Sequence, residues 1–533
     1  MTYFSLPFFL FVAGLVLVYF VTPKRFQWYV LLIASYIFYW LNSARLLFIL
    51  LGTSLFTYFI GQWIQNVSDA GKNYLKEHNA ELSKEEKKSF KDAVKQRSKR
   101  ILQFGILVDL GALLFLKYFN FFGENINSLL SFFGAKSMIP HLRLLMPLGI
   151  SFYTLQAIAY MTDVYRGTIQ ADRNPFKFLL FMSFFPQIVQ GPIPRHAHLA
   201  HQLYEGHSFD YERICFGCQL MLWGLIKKLV IAERLGAPVD LLFGHYNQYT
   251  GGILFVGSLL YGLQVYTDFS GGVDIARGVA QMLGIDIEPN FNQPYYSTSV
   301  EDFWRRWHMT LGHWMRDYVF YPLSLSKSFT ELGRKCRSLF GAFAGKRMPA
   351  FFSLFIVYFL VGFWHGAYWR NIVYGIWNSV FIMTGLLMEN VYRKTRELCC
   401  IDEAASTWRL FRMVRTLVVI SFGRFIDRAE GVRAACEMFR RTFTDWQDIT
   451  FITNGSLLKL GLDCANWLLL LASLFLLFYV DSVHEKGISL RKVFARQPLV
   501  FRWTIYIAAV LFILIFGCYG PEYKAANFIY EQF

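Results

Sequence analysis

The feature that most constrains this chain is a series of long apolar runs at residues 4–21, 28–40, 46–64, 101–122, 351–363 and 467–480. A bilayer-spanning helix needs about 20 mostly apolar residues, and several of these runs approach that length. Composition agrees: of 533 residues, 55% are hydrophobic and 19% aromatic, against about 45–50% apolar in soluble domains even with glycine counted. A membrane β-barrel would show ~10-residue segments of alternating polarity, whereas these runs are continuous. The sequence therefore predicts an all-α, polytopic transmembrane helical bundle. The first run is expected to be a spanning helix and not a cleaved leader. It ends at Thr22-Pro23-Lys24-Arg25 without a small-residue cleavage site, and a second apolar run follows at once.

The net charge of +16 fits basic loops beside an anionic leaflet better than nucleic-acid binding. Cys215 and Cys218 form an isolated CxxC inside a helical run, which argues against zinc. The eight cysteines are expected to be free thiols.

Basic segments orient the bundle. Residues 66–100 carry ten Lys/Arg against six acids, at spacings that favour a solvated helix. By the positive-inside rule this insertion is cytoplasmic, as is Lys24-Arg25. The basic segments at residues 326–348 and 393–415 are read as cytoplasmic loops too. The apolar runs 350–363 and 372–388 between them then form a hairpin. Its turn, residues 364–371, points away from the cytoplasm and contains His365. The first arm is short for a full span, so a re-entrant turn is expected.

Two histidines stand in these apolar surroundings. One closes Asp302-Phe303-Trp304-Arg305-Arg306-Trp307-His308. The other is central to Trp364-His365-Gly366. Ionisable groups at membrane depth are costly and mark chemistry or a polar path, and histidine titrates near neutrality. Residues 300–318 are too polar to span lipid and read as an interfacial or re-entrant helix near the inner face. Arg305 and Arg306, flanked by Trp304 and Trp307, suit an anionic donor; the same pattern also suits an interfacial anchor. Residues 185–193, with two prolines and a glycine, break a helix around Gln187 and Gln190. Such a break is tolerated where it lines a cavity or packs in protein. Asp268 and Asp274, near Ser270, are expected to cap helix ends or pair with arginine. His196, His198, His201 and His207 cluster after the Pro-Ile-Pro turn; no acidic partner is expected to complete a metal site, and they read as a loop.

Several segments together resemble the membrane-bound O-acyltransferase family, in the bacterial branch that modifies cell-surface polymers. They are FYTLQAIAYMTDVYRG at residues 152–167, FPQIVQGPI at 185–193 and YTDFSGGVDIARG at 266–278. The stretch from Asn290 to Pro322 contains WRRWH, and residues 361–367 read VGFWHGA. The ending NFIYEQF, residues 527–533, resembles alginate-type members. Similarity runs from about residue 100 to 390, plus the tail. Gly272 stands where the family has tyrosine, FGRFIDR at 422–428 matches loosely, and the 66–100 insertion is long.

The resemblance implies N-terminal transmembrane helices at 1–65, the cytoplasmic insertion at 66–100, a catalytic core at 101–390 and C-terminal transmembrane helices at 391–533. It implies a central tunnel, with Gln187, Gln190, Asp268, Ser270 and Trp364 as lining candidates. It implies His308 and His365 as catalytic histidines, with Trp304, Arg305, Arg306 and Trp307 on the donor side. The expected reaction moves an acetyl-type group from a cytoplasmic thioester to a hydroxyl. The donor is acetyl-CoA or another acyl thioester, and no permanently bound cofactor is expected. The acceptor would be an exported polysaccharide or an extracytoplasmic SGNH-type acyltransferase partner, at the bacterial inner membrane. His365 would be the general base, and His308 would hold or polarise the thioester. The alternatives are D-alanyl transfer from a carrier protein to teichoic acid and, in another class, a transporter or flippase with the histidines in a proton relay.

Overall fold

A computed structural model describes residues 3–136, 138–445 and 453–519. The NFIYEQF tail lies outside the described residues. Among those described, secondary structure is helical apart from one isolated antiparallel bridge, Phe291 to Trp307. Six stretches of the described residues are long and apolar enough to cross a membrane, or seven if the bent pair Trp369–Leu387 and Glu389–Leu398 is one span. The polytopic helical class holds. Leucine and phenylalanine point outward on many of these helices. In Leu499–Phe516 only Ile513 is buried, the pattern of a helix whose solvent is lipid. Among the described residues, none of the eight cysteines is in a disulfide.

The chain forms two compact units. The first comprises residues 1–217 and 279–288, the second residues 218–278 and 289–533. In the first unit, helices Leu6–Val21, Gln27–Ser43, Leu47–Glu77, Lys84–Phe132 and Ile150–Arg166 supply most of the apolar surface. Ser43, at φ −152°, separates the second helix from the third. Residues 66–100 prolong two long helices, with a short turn between them. Ser83 starts the second with a reciprocal cap: it accepts from Glu86 N while the Glu86 carboxylate accepts from Ser83 N. Tyr74 stacks on His78 and Phe90 across the turn.

The broken segment after Phe184 is packed in protein. Tyr3 donates to the carbonyls of Phe185 and Pro186, and Ser35 Oγ accepts from Phe185 N. Freed backbone groups thus find partners, as lipid-depth irregularity requires. His196–Tyr204 is a helix, not the expected loop. Nor do its histidines lack acids. Asp172 Oδ2 meets His196 Nε2 at 2.7 Å and accepts from the Tyr204 hydroxyl at 2.7 Å, while Glu288 approaches His198 at 3.7 Å. Sequence distance hid those partners.

In the second unit, residues 218–225 lead through a π-helical turn, Ile226–Ala232, into Glu233–Gly244. The basic segment expected as a loop at 326–348 is helical. It belongs to Lys327–His365, which kinks at Gly341, where φ of +82° suits glycine. This helix and Trp369–Leu387 form the hairpin that the two apolar runs predict. The arms touch backbone to backbone. A Cβ on Gly362 would lie 2.3 Å from Asn371 O, and one on Gly375 would lie 2.3 Å from Tyr358 O. No larger residue fits at either point, so this glycine pair sets the separation of the arms that carry His365.

Candidate active site

Helix Lys327–His365 ends on the histidine itself. Gly366, at φ 172° and ψ 158°, extends the chain, and the next helix starts at Trp369. Met309–Met315 begins after His308, whose φ of 47° places it in the left-handed region. That is a sparsely allowed conformation for a non-glycine residue and a common mark of functional sites. The Phe291–Trp307 bridge supports the corner, with Asn292 N donating to Arg306 O at 2.9 Å and Met309 N to Asn290 O at 3.0 Å.

These two chain reversals bring both histidines together. Their ring centroids are 6.4 Å apart, and Trp364 lies 5.9 Å from His308. Phe269 meets His308 edge-on at 4.9 Å. His308 is 2% exposed. Burial, with His365 close by, holds its pKa well below the ordinary 6.5, so the ring is neutral at pH 7.

Its tautomer follows from geometry. Asn290 Oδ1 lies 3.2 Å from His308 Nδ1, 3.1 Å from Thr310 N and 2.9 Å from Thr310 Oγ1. A backbone N–H only donates, so the Asn290 atom facing it is the oxygen. His308 Nδ1 must then carry the proton, and Nε2 carries a lone pair. A neutral ring of that form accepts at Nε2 and cannot polarise a carbonyl there.

The remaining candidates distribute as follows. Trp307 is buried and stacks on Phe303 at 5.4 Å, with the Arg424 guanidinium 4.9 Å from its ring centroid. Trp304 Nε1 donates to Asn378 Oδ1 at 3.1 Å. Both indoles brace the corner. Arg306 is held between Asp302 at 3.0 Å and Glu485 at 2.6 Å, and Arg305 pairs with Glu301 on an exposed face. Trp364 flanks His365 at 5.0 Å.

Asp268 and Ser270 face lysines. Lys228 Nζ lies 2.5 Å from Asp268 and 2.7 Å from Glu233, while Lys227 Nζ lies 2.6 Å from Asp274 and 3.0 Å from Ser270 Oγ. The two aspartates sit inside helix Gly251–Met282 and cap nothing. Their main partners are lysines, with Arg277 a longer contact to Asp274 at 3.4 Å. Gln187 and Gln190 are buried in the other unit, and among the described residues neither amide oxygen has a hydrogen-bond donor.

Asn290 was not among the sequence candidates. It is 1% exposed and borders a cavity of about 320 Å³. Lys227, Asp274, Arg277, Asp481 and His484 share the walls, with Trp223 and Phe291 adding aromatic surface. Tyr266, also lining it, donates to Asp481 Oδ2 at 2.9 Å. Such a cavity is roomy enough for part of a small ligand.

Comparisons with known proteins agree with the geometry. The sequence model of the membrane-bound O-acyltransferase family matches residues 169–399. The chain is 33% identical to the probable alginate O-acetylase of Azotobacter vinelandii, over 82% of this chain and 77% of that one. It is 29% identical to the peptidoglycan O-acetyltransferase of Helicobacter pylori, over 68% and 65%. It is 27% identical to the teichoic acid D-alanyltransferase of Bacillus subtilis, over 54% and 69%. Both histidines fall inside the matched family segment, and this multi-pass membrane chain is an acyltransferase that belongs to the membrane-bound O-acyltransferase family.

Proposed function

We propose that this enzyme transfers an acetyl-type group from a cytoplasmic acyl thioester, acetyl-CoA being the donor, to a hydroxyl of an exported polysaccharide or of an extracytoplasmic relay partner, at the bacterial inner membrane. The observation that carries the reading is the pairing of His365 and His308, 6.4 Å apart at two chain reversals and beside Asn290, which borders a polar cavity. The greater similarity to alginate O-acetylases than to D-alanyltransferases supports an acetyl-type group. His365 takes the proton of the attacking hydroxyl, a task that an imidazole performs as general base. His308 offers a second lone pair beside it. Neither histidine has a serine or cysteine next to it in sequence, which favours direct transfer between two bound substrates. The donor reaches the centre from the face bearing Arg305 and Arg306.

The test is transfer in oriented membrane vesicles, with labelled acetyl-CoA supplied on one side only. Label should enter polymer or partner only when the donor meets the cytoplasmic face, and not at all with His365→Ala. Normal labelling by that variant would sink the catalytic assignment. Labelling from carrier-bound D-alanine alone would replace the acyl group proposed.

A further inference from the structure

We infer that Asn290 is a catalytic residue: its side-chain N–H binds the carbonyl oxygen of the acyl thioester and holds the negative charge that develops there. The inference rests on the acyl-transfer reading above and adds to it the group that answers the oxyanion.

The carboxamide is locked at one end and unpaired at the other. Oδ1 accepts from His308 Nδ1, Thr310 N and Thr310 Oγ1, all within 3.2 Å. The amide is planar, so fixing the oxygen fixes the nitrogen. Asn290 Nδ2 is buried, yet among the described residues it meets no acceptor. Buried polar groups are paired in roughly 90% of cases or more, and leaving one unpaired is destabilising. Scaffolding explains the oxygen end only. A residue serving merely to hold His308 would need no orphaned donor beside a cavity whose wall it forms.

The chemistry needs such a donor, and neither His308 nor the two nearby lysines supplies it. His308 in its Nδ1–H form presents a lone pair. Lys227 and Lys228 are committed to carboxylates at 2.5–2.7 Å. In the step, the acceptor oxygen bonds to the thioester carbon while the carbonyl π pair moves to oxygen, facing Asn290 Nδ2. The hydroxyl proton passes to His365. Collapse restores the carbonyl, breaks the C–S bond, and returns the proton from His365 to the departing sulfur. Products are the ester and the free thiol. A donor positioned before the charge forms needs no reorganisation, which is why such groups contribute strongly.

Two measurements decide it. The first is infrared spectroscopy of carbonyl-labelled acetyl-CoA bound to the wild-type protein. The carbonyl stretch should fall to lower frequency than in water. Turnover of acetyl-CoA without any such shift overturns the inference, whereas no turnover at all indicts the underlying reading instead. The second is Asn290→Asp, which keeps an oxygen for His308 and Thr310 but removes the N–H. It should lower kcat about 10²–10³-fold with little change in donor KM, at every pH from 6 to 9, and abolish the carbonyl shift. Wild-type kcat in a folded Asn290→Asp protein reduces Asn290 to a scaffold. Recovery at high pH would point to a recharged His308 and also overturn the inference. Thr310→Val, which loosens one anchor but leaves the donor, should lose far less. His365→Ala should stop transfer while retaining the shift.

Discussion

Two polar clusters lie within the second unit, and they solve burial in opposite ways. Around the π-helical turn, Lys227, Lys228 and Arg277 face Glu233, Asp268 and Asp274, three positive groups against three negative. Around the histidines, His308 is neutral and is oriented by an amide and a backbone corner. Full charges in a low dielectric must be neutralised at once, which freezes them. Neutral groups held by dipoles keep lone pairs and donors in reserve. The charged cluster is a structural clamp, and the uncharged one suits the proton transfer proposed above.

The sharpest way to break that contrast is to damage each cluster alike. Lys228→Met leaves Asp268 and Glu233 buried without their cation and should cost about 3–5 kcal/mol. It should be seen as a large fall in thermal midpoint in detergent and in the amount of protein recovered from membranes. His365→Ala removes a half-buried group at a helix end and should stay within about 1 kcal/mol of wild type while transfer vanishes. Equal stability of the two variants would refute the division into clamp and centre.

Acidification sharpens the comparison from the other side. The His308 pKa lies well below its ordinary 6.5 because burial and His365 both disfavour its charge. The fold therefore declines a proton that the unfolded chain accepts. Stability from this group is full above pH 6.5 and falls as pH drops below it, by about 1.4 kcal/mol per pH unit, until the folded value is reached. His308→Gln should flatten that part of a pH–stability curve measured from 7.5 to 5. A curve unchanged by the substitution would mean that His308 is charged or solvated in the fold.

These clusters also mark what was legible in the sequence. The hairpin turn was legible because two apolar runs flank a polar interruption, and Trp364-His365-Gly366 sits in it. The corner at His308 was partly legible. Charge and aromatics showed that residues 300–318 do not span lipid, but left-handed backbone at a histidine has no signature. Asn290 was invisible for a different reason. It lies eighteen positions before His308, and the bridge that brings it there is a single pair of residues. Lys227 and Lys228 were readable in principle, as charges inside an apolar run, yet a run judged by its apolar majority hides them. Asp268 and Asp274 lie forty and forty-seven residues away, and Glu233 alone is a near neighbour in sequence, so the lysines do not predict the aspartates they meet.

The smallest expected effect separates the two arginines of the corner. Arg306 is mostly buried and shared between Asp302 and Glu485, and Glu485 is also bound by Arg409 at 2.9 Å. It ties helix Val300–Arg306 to the end of Cys464–Glu485, beside the cavity wall formed by Asp481 and His484. Arg305 is 74% exposed on its side chain and, among the described residues, pairs with Glu301 one turn earlier. Arg306→Ala should therefore lower stability by about 1.5 kcal/mol, the low end for a charge-assisted bond, because Arg409 still compensates Glu485. Arg305→Ala should change stability by less than about 0.5 kcal/mol. If Arg305 meets phosphate on the donor, as the proposed donor-side role requires, its loss raises the apparent donor KM severalfold and leaves kcat alone. Steady-state kinetics in liposomes, with acetyl-CoA varied at fixed acceptor, would read this directly. An unchanged donor KM makes Arg305 a surface pair and moves donor recognition to the cavity bordered by Lys227, Arg277 and Asn290.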